Sequence, residues 1–314
     1  MAQTSTDISS LQSSQATRQP RQRQMSDLRI MQLFILPTVI LLILMNIFPL
    51  IYSLYLSFTN YSVIADKAPE WIGIQNYTTI LSDQRFWANF ATTGRYALIS
   101  VILQTLIGFG LALLLRNKFK GSGLVTTLIL VPMMLSPIVV ATFWKLMFNP
   151  SLGIFNYLLG YTDINTSPLW LGDPNLALWA IVIVDVWMWS PFVMLLCLAG
   201  LSAIPEYLYE AAAIDRASAW FQFRRITLPQ VMPLLLIAVL FRTIEAFKQF
   251  DLVMGLTSGG PGDVTETVSI RLYKLAFQGQ YDTGMSSALA YIILIIIIAV
   301  SNLYIRSLNK ARGA

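Results

Sequence analysis

The sequence predicts an all-α, polytopic membrane protein with six transmembrane helices. The chain has 314 residues, of which 56% are hydrophobic and only 12% are charged. A typical soluble domain carries roughly 25% charged residues, so this composition excludes an ordinary soluble fold. Six apolar segments are each long enough to cross about 30 Å of hydrocarbon at about 1.5 Å per residue. Basic residues cluster at the ends of these segments, so topology explains the net charge of +5 and a nucleic-acid partner is not expected.

The predicted spans alternate with polar segments that set their orientation. The spans are Ile30–Phe58, Phe90–Leu115, Gly123–Phe148, Leu176–Leu201, Val231–Met254 and Met285–Ile305. Lysine and arginine are concentrated in the N-terminal tail, in the loop Arg116–Lys120, in the loop with Arg224 and Arg225, and after the last span. The positive-inside rule therefore predicts that both termini are cytoplasmic.

The remaining composition limits the domain organisation and the chemistry. Residues 1–27 are rich in serine, glutamine and threonine, which predicts a disordered cytoplasmic tail before a transmembrane domain at 28–314. The chain has one cysteine, Cys197, and no histidine. We therefore expect no catalytic residues, no metal site and no enzyme activity. No Gly-x4-Gly-Lys-Ser/Thr phosphate loop is present, so this chain is not expected to bind ATP itself.

The polar segment 203–230, between the fourth and fifth spans, carries the most specific pattern. From Glu206 to Pro233 the chain reads EYLYEAAAIDRASAWFQFRRITLPQVMP, which predicts two short helices with a break. It closely resembles the coupling-helix signature, the EAA loop, of importer permeases in the ATP-binding cassette class. Arg216 stands where that family usually has glycine, and arginine disfavours the tight turn that glycine would allow. With Arg216, the residues assigned to coupling are Glu210, Ala211, Ala212, Asp215, Phe223, Ile226, Leu228 and Pro229.

The outer loops extend this resemblance over nearly the whole chain. In order they read SFTNYSV, WIGIQNYTTILSDQRFW, WKLMFNPSLGIFNYLLG and LTSGGPGDVTETV. They are similar to carbohydrate-uptake permeases related to the maltose, lactose and glycerol-phosphate systems, and LTSGGP indicates the MalF-like member of the permease pair. The resemblance implies a type I importer fold in the bacterial inner membrane. It also implies one half of a pathway that moves a sugar, sugar alcohol or related glycoside by alternating access.

The same resemblance implies the partners. They are a second, MalG-like permease, a dimer of ATP-binding subunits, a periplasmic or lipid-anchored substrate-binding protein, and the lipid bilayer. ATP and magnesium would be bound by the ATPase subunits, and this chain would hold no cofactor. Small residues in segment 203–230 would let the ATPase approach closely, while Glu210 and Asp215 would pair with basic groups on it.

The fifth span contains ionisable residues that indicate a substrate site. Charged groups at membrane depth are costly, and they usually face a polar cavity or a partner. Residues with i, i+3, i+4 and i+7 spacing share a helix face, and here they match sugar-site positions of maltose-type permeases. These residues are Arg242, Glu245, Ala246 and Gln249. The structural alternative is that four charged side chains only pair with one another, namely Arg242, Glu245, Lys248 and Asp251.

The fourth span offers an aromatic face at the same spacing, formed by Asp185, Met188, Trp189 and Phe192. Met188, Trp189 and Phe192 match sugar-site positions of the family. An aromatic ring suits the C–H face of a sugar, whose hydroxyl groups then take hydrogen bonds from polar residues. The alternative is an interfacial aromatic belt that includes Trp187.

Three questions stay open at this point. An ion-coupled secondary transporter, with Glu245 or Asp185 as the proton site, is a second function class, but it leaves segment 203–230 unexplained. The substrate is either an anionic sugar held by Arg242 or Lys248, or a neutral polyol if those charges are neutralised within the protein. In the third span, Pro132 and Pro137 predict a kink.

Overall fold

A computed structural model describes residues 27–65, 67–117, 119–160, 167–279 and 281–312. The tail predicted at 1–27 falls outside this range except for Asp27. Every regular element in the described residues is a helix, which confirms the all-α fold class. The helices are α1 (Asp27–Leu42), α2 (Phe48–Leu56), α3 (Gln75–Ser82), α4 (Gln84–Leu115), α5 (Ser122–Met134), α6 (Pro137–Met147), α7 (Ile154–Leu158), α8 (Ala177–Ser202), α9 (Tyr207–Ile214), α10 (Ala219–Gln222), α11 (Leu228–Lys248), α12 (Asp251–Leu256), α13 (Val268–Phe277) and α14 (Thr283–Arg312).

Five continuous helical runs in the described residues are long and apolar enough to cross a membrane. They are Met31–Leu56, Gln84–Leu115, Ala177–Ser202, Ala219–Lys248 and Thr283–Arg306. Two of them contain π turns, at Ile43–Ile47 and Phe223–Thr227, which join α1 to α2 and α10 to α11.

The third predicted span is formed by α5 and α6, which together are apolar enough to cross but are bent by 97° relative to each other. The prolines predicted a kink, and the structure has a full break. Ser136, immediately before Pro137, is extended with ψ 134°, because a proline ring disfavours helical backbone in the preceding residue.

The N-terminal part of the chain, described from residue 27 to Tyr52, is a compact unit of its own. Its side chains from Met31 to Tyr52 are exposed and almost all apolar, as expected for a helix that faces lipid or another subunit. The amide of Asn46 donates to the carbonyl of Leu42 at 2.9 Å, so this polar side chain is satisfied within its own helix.

The second unit, Ser53 to the C-terminus, has α4, α8 and α11 at its centre. Helices α4 and α8 pack closely because Gly108 of α4 lies against the backbone of α8. A Cβ atom at Gly108 would lie only 2.6 Å from the carbonyl oxygen of Ser190. Small residues at such crossings allow membrane helices to approach, and here they bring polar side chains of three helices together.

Candidate functional site

Three polar side chains form a buried network at the centre of the helix bundle. Gln104 comes from α4, Asp185 from α8 and Arg242 from α11, and their exposed fractions are 0%, 0% and 2%. The Gln104 amide nitrogen donates to Asp185 Oδ2 at 2.7 Å, and its oxygen accepts from Arg242 Nε at 2.8 Å. Arg242 Nη2 lies 3.5 Å from Asp185 Oδ1. We call these three residues the polar network.

The network is complementary in both charge and hydrogen bonding. A carboxylate only accepts hydrogen bonds and a guanidinium only donates them. A glutamine amide between them can do both, because its nitrogen donates to the carboxylate and its oxygen accepts from the guanidinium. One positive and one negative charge cancel, which avoids the large penalty of an unpaired buried ion. The network therefore holds α4, α8 and α11 together without leaving a net charge in the bundle.

Arg242 also contacts the predicted aromatic face of α8. Its guanidinium carbon lies 4.5 Å from the centroid of the Trp189 ring, a cation–π arrangement. The Trp189 ring makes an edge-on contact with Phe192 at 6.5 Å, and both rings are partly exposed. Met188 is 1% exposed and belongs to the hydrophobic core, so of the three sugar-site residues predicted on α8 only Trp189 and Phe192 are accessible.

The predicted polar face of the fifth span differs from the expectation. Glu245 is half exposed and pairs with Lys248 at 2.8 Å, whereas Arg242 is buried and pairs with Asp185, so Arg242 and Glu245 lie in different environments. The ion pairing proposed as the structural alternative is therefore present for Glu245 and Lys248, while the partner of Arg242 is on another helix. Ala246 is buried in the core.

Gln249 is the last residue of the predicted face and lies at the end of the helix. Helix α11 ends at Lys248, and Gln249 is its C-cap with an extended ψ of 120°. The chain turns here because the next helix, α12, buries Leu252 and Val253 in the core. The amide nitrogen of Gln249 is buried without a hydrogen-bond partner in the described part of the protein.

The segment 203–230 forms the two short helices that its pattern predicts, α9 and α10. We call it the coupling segment. α9 ends in a Schellman motif, in which Ala217 N–H donates to Ala212 C=O at 2.8 Å and Arg216 N–H donates to Ala213 C=O at 3.0 Å. Arg216 adopts the left-handed conformation, with φ 52°. The tight turn is therefore formed although arginine disfavours it.

The coupling segment has an inner and an outer side. Leu208 and Tyr209 pack on the hydrophobic cluster formed by α4, α8 and α11, whereas Tyr207 and Ile214 are 64% and 82% exposed. Of the residues assigned to coupling, the exposed ones are Glu210, Ala211, Asp215, Arg216 and Pro229. The partly buried ones are Ala212, Phe223, Ile226 and Leu228.

One member of the polar network, Gln104, was a candidate to reach a cavity and was not among the residues assigned to the substrate site. Gln104 is the only side-chain amide in the apolar half of α4, from Ala97 to Leu115, and this isolation is the signal that marks it. In the described residues, no three histidine, cysteine or acidic side chains come together as a metal site.

The helices are long enough to cross a membrane and surround a neutral polar network, and a short exposed helix lies between two of the spans. These features are typical of polytopic membrane proteins of the transport class. The chain belongs to the family described as binding-protein-dependent transport system inner membrane component, whose model matches residues 104–312. It is 37% identical over 275 residues to the trehalose/maltose transport system permease MalF of Thermococcus litoralis, covering 87% of this chain and 92% of that protein. It is 33% identical to the trehalose transport system permease SugA of Mycobacterium tuberculosis, covering 92% and 91%.

A solved structure supports the fold. A chain in the crystal structure of a bacterial alginate ABC transporter, in complex with its alginate pentasaccharide-bound periplasmic protein, superposes with a TM-score of 0.76. It is 21% identical and the match covers 88% of this chain and 92% of that chain, which shows a shared type I importer permease fold. The predicted importer permease is therefore confirmed, and the chain is a multi-pass membrane subunit and not an enzyme. Nothing in these comparisons supports an ion-coupled secondary transporter.

Proposed function

We propose that this chain is one half of the translocation pathway of an ATP-driven importer for a neutral sugar or related glycoside. A second permease completes the pathway, a substrate-binding protein delivers the sugar, and a dimer of ATPase subunits binds ATP and magnesium. The relatives that transport trehalose and maltose support the substrate class. Alternating access would expose the substrate site to each side of the membrane in turn.

The observation that carries the coupling role is the outer side of α9. Ile214 is 82% exposed and lies beside Glu210 and Asp215, so an apolar contact is flanked by carboxylates. Such a surface suits a groove on a partner that offers basic groups at its rim. Docking of α9 in the ATPase would place this surface where nucleotide-driven motion begins.

Copurification tests this docking. The chain is co-expressed with the genes that neighbour its own, and the ATPase retained with the purified permease is measured. Ile214→Asp and Glu210→Lys are expected to lose the ATPase. Leu152→Asp is the matched control, because Leu152 is 90% exposed and lies outside the coupling segment. Retention of the ATPase by both coupling variants would refute docking through α9.

The charge balance of the bundle favours a neutral substrate. Arg242 was the residue expected to hold an anionic sugar, but Asp185 neutralises it, and Glu245 pairs with Lys248. The accessible groups that remain near Arg242 are the rings of Trp189 and Phe192, whereas the amide nitrogen of Gln249 is buried without a hydrogen-bond partner in the described residues. Aromatic rings suit the C–H face of a neutral sugar.

ATPase stimulation by a panel of sugars tests the substrate site. Neutral disaccharides are expected to stimulate the reconstituted importer, and sulfonated or carboxylated sugars are not. Trp189→Ala is expected to raise the sugar concentration needed for half-maximal stimulation. Trp187→Ala is the control, since the Trp187 ring contacts the Trp144 ring and not Arg242, with 5.5 Å between the two ring centroids. Stimulation by anionic sugars alone would contradict the proposal.

We further propose that both termini and the coupling segment face the cytoplasm. The basic residues of the loop after α4 and of the coupling segment support this orientation. Labelling of introduced cysteines tests it, because the single native cysteine, Cys197, is buried and can be replaced by alanine without exposing a new thiol. A cysteine at Ser218 should react only with reagents that cross the membrane, and one at Ser151 should react with impermeant reagents.

A further inference from the structure

Tyr209 is the residue of α9 that connects it to two membrane helices at once. Its hydroxyl group lies 2.9 Å from the hydroxyl oxygen of Thr227, at the start of the α11 span. The guanidinium carbon of Arg116, the residue that follows α4, lies 4.0 Å from the centroid of the Tyr209 ring. Tyr209 is partly buried, whereas Tyr207, in the same short helix, points outward.

The contact on the α11 side falls at an irregular point of the helix. Thr227 is the last residue of the π turn Phe223–Thr227, and it is buried. Its hydroxyl group also lies 3.5 Å from the carbonyl oxygen of Gln222, within this wider turn. Single π turns inside α-helices are local departures from regular winding and are frequent at functional sites. Tyr209 thus holds α11 at the place where its winding changes.

The two helices that Tyr209 contacts also carry two members of the polar network. Gln104 lies on α4, twelve positions before Arg116, and Arg242 lies on α11, fifteen positions after Thr227. Both stretches are unbroken helix, with Pro233 as the one interior proline of α11, and packed helices transmit a displacement applied near Tyr209 towards both polar side chains. The network and Tyr209 therefore fasten the same two helices at two different levels.

We propose that Tyr209 is the positioning residue through which a displacement of α9 is passed to α4 and α11 together. The ring contact with Arg116 carries it to α4, and the hydrogen bond with Thr227 carries it to α11. This proposal rests on the proposed docking of α9 in the ATPase, because that contact supplies the displacement.

The test measures sugar transported per ATP hydrolysed in the reconstituted complex. Tyr209→Ala removes both contacts and is expected to lower this ratio about tenfold or more. Tyr209→Phe removes only the hydrogen bond, and Thr227→Val removes it together with the long contact to the Gln222 carbonyl, so each should lower the ratio about fivefold or less. The double variant Tyr209→Phe/Thr227→Val should match the single variants, because both remove the same bond. Tyr207→Phe is the matched control and should leave the ratio unchanged.

Each outcome is informative about one proposal. ATPase copurification and the unfolding temperature are measured on the same samples, and they should stay at the wild-type level in Tyr209→Phe and Thr227→Val. A wild-type transport ratio in these two variants, or strictly additive effects in the double variant, would overturn the role of Tyr209 while leaving α9 docking intact. If the wild-type permease retains no ATPase, the proposed function itself fails, which is a separate result.

Discussion

In the membrane bundle, Asp185 and Arg242 are almost completely buried and pair with each other, whereas Glu210, Asp215 and Arg216 of the coupling segment are exposed. The residue types are the same, but their availability differs. The buried charges are used to hold three helices together, and the exposed charges are free to meet a partner. A charge inside a membrane protein therefore indicates an interaction, and the structure decides whether its partner lies within the chain or outside it.

Breaking the buried pair should have the largest effect. Asp185→Ala leaves the Arg242 charge buried without its partner, and loss of one partner of a buried pair costs about 3–5 kcal/mol. The expected result is a large fall in the unfolding temperature in detergent, or loss of folded protein. Asp185→Leu/Arg242→Met removes both charges and should recover part of that stability, since the buried Gln104 amide then loses both side-chain partners. Wild-type stability in the Asp185→Ala variant would show that the buried charges do not stabilise the bundle, which would contradict the contrast with the exposed charges of the coupling segment.

Disrupting the close approach of α4 and α8 should cause the next largest loss of stability. Gly108→Ala places a Cβ atom 2.6 Å from both the Ser190 carbonyl oxygen and the Val193 Cβ, so the helices must separate. Overpacking of this kind costs about 1–3 kcal/mol. Gly110→Ala is the control, because no heavy atom lies within 4 Å of its added Cβ, and alanine is the better helix former. Thermal unfolding of the two variants should move in opposite directions.

In the coupling segment we expect a smaller change in stability, and this change is an increase. Arg216 occupies a left-handed conformation that costs a non-glycine residue about 1–2 kcal/mol. Arg216→Gly should raise the free energy of unfolding by about 1 kcal/mol. Arg216→Ala keeps the strain but removes the guanidinium group, so it separates the backbone effect from any effect of charge. Equal stability of the glycine and alanine variants would argue against strain at this turn.

The smallest effect is expected for the second ion pair of α11. Lys248 and Glu245 pair at 2.8 Å, but about half of each side chain is exposed. Pairs of this kind contribute about 0–1 kcal/mol and weaken with salt. Glu245→Gln should therefore leave the unfolding temperature almost unchanged, in contrast to Asp185→Ala. A large loss in the Glu245→Gln variant would show that exposure does not separate the two pairs.

Local patterns were sufficient for the spans and for the coupling segment. Hydropathy and length located all six apolar segments, and the spacing of apolar and small residues predicted α9 and α10. The same methods could not assign the partner of Arg242. Helical spacing relates residues on one helix, whereas Arg242 pairs across 57 positions with Asp185 and across 138 positions with Gln104. Only the packing of three helices brings these side chains together.

The end of α11 was also set by packing and not by local signals. No proline or glycine marks Lys248 as the last helical residue, and the apolar pattern continues through Val253 and Met254. The chain leaves the helical path at Gln249 because the following short helix buries its apolar residues in the core. Arg216 is the opposite case, since a residue that disfavours the left-handed turn is held there by the two hydrogen bonds of the helix cap.

The contact between Arg116 and Tyr209 also limits the number of times that the chain between them can cross the membrane. Two points in contact beyond the end of a span lie on the same side, so the chain between them must cross an even number of times. The described residues between Arg116 and Tyr209 contain only α8 and the bent α5–α6 pair as segments long and apolar enough to cross. Since α8 crosses once, the bent pair must also cross once. The 97° bend therefore does not return the chain to the side it came from, and the coupling segment stays in the compartment of the loop after α4.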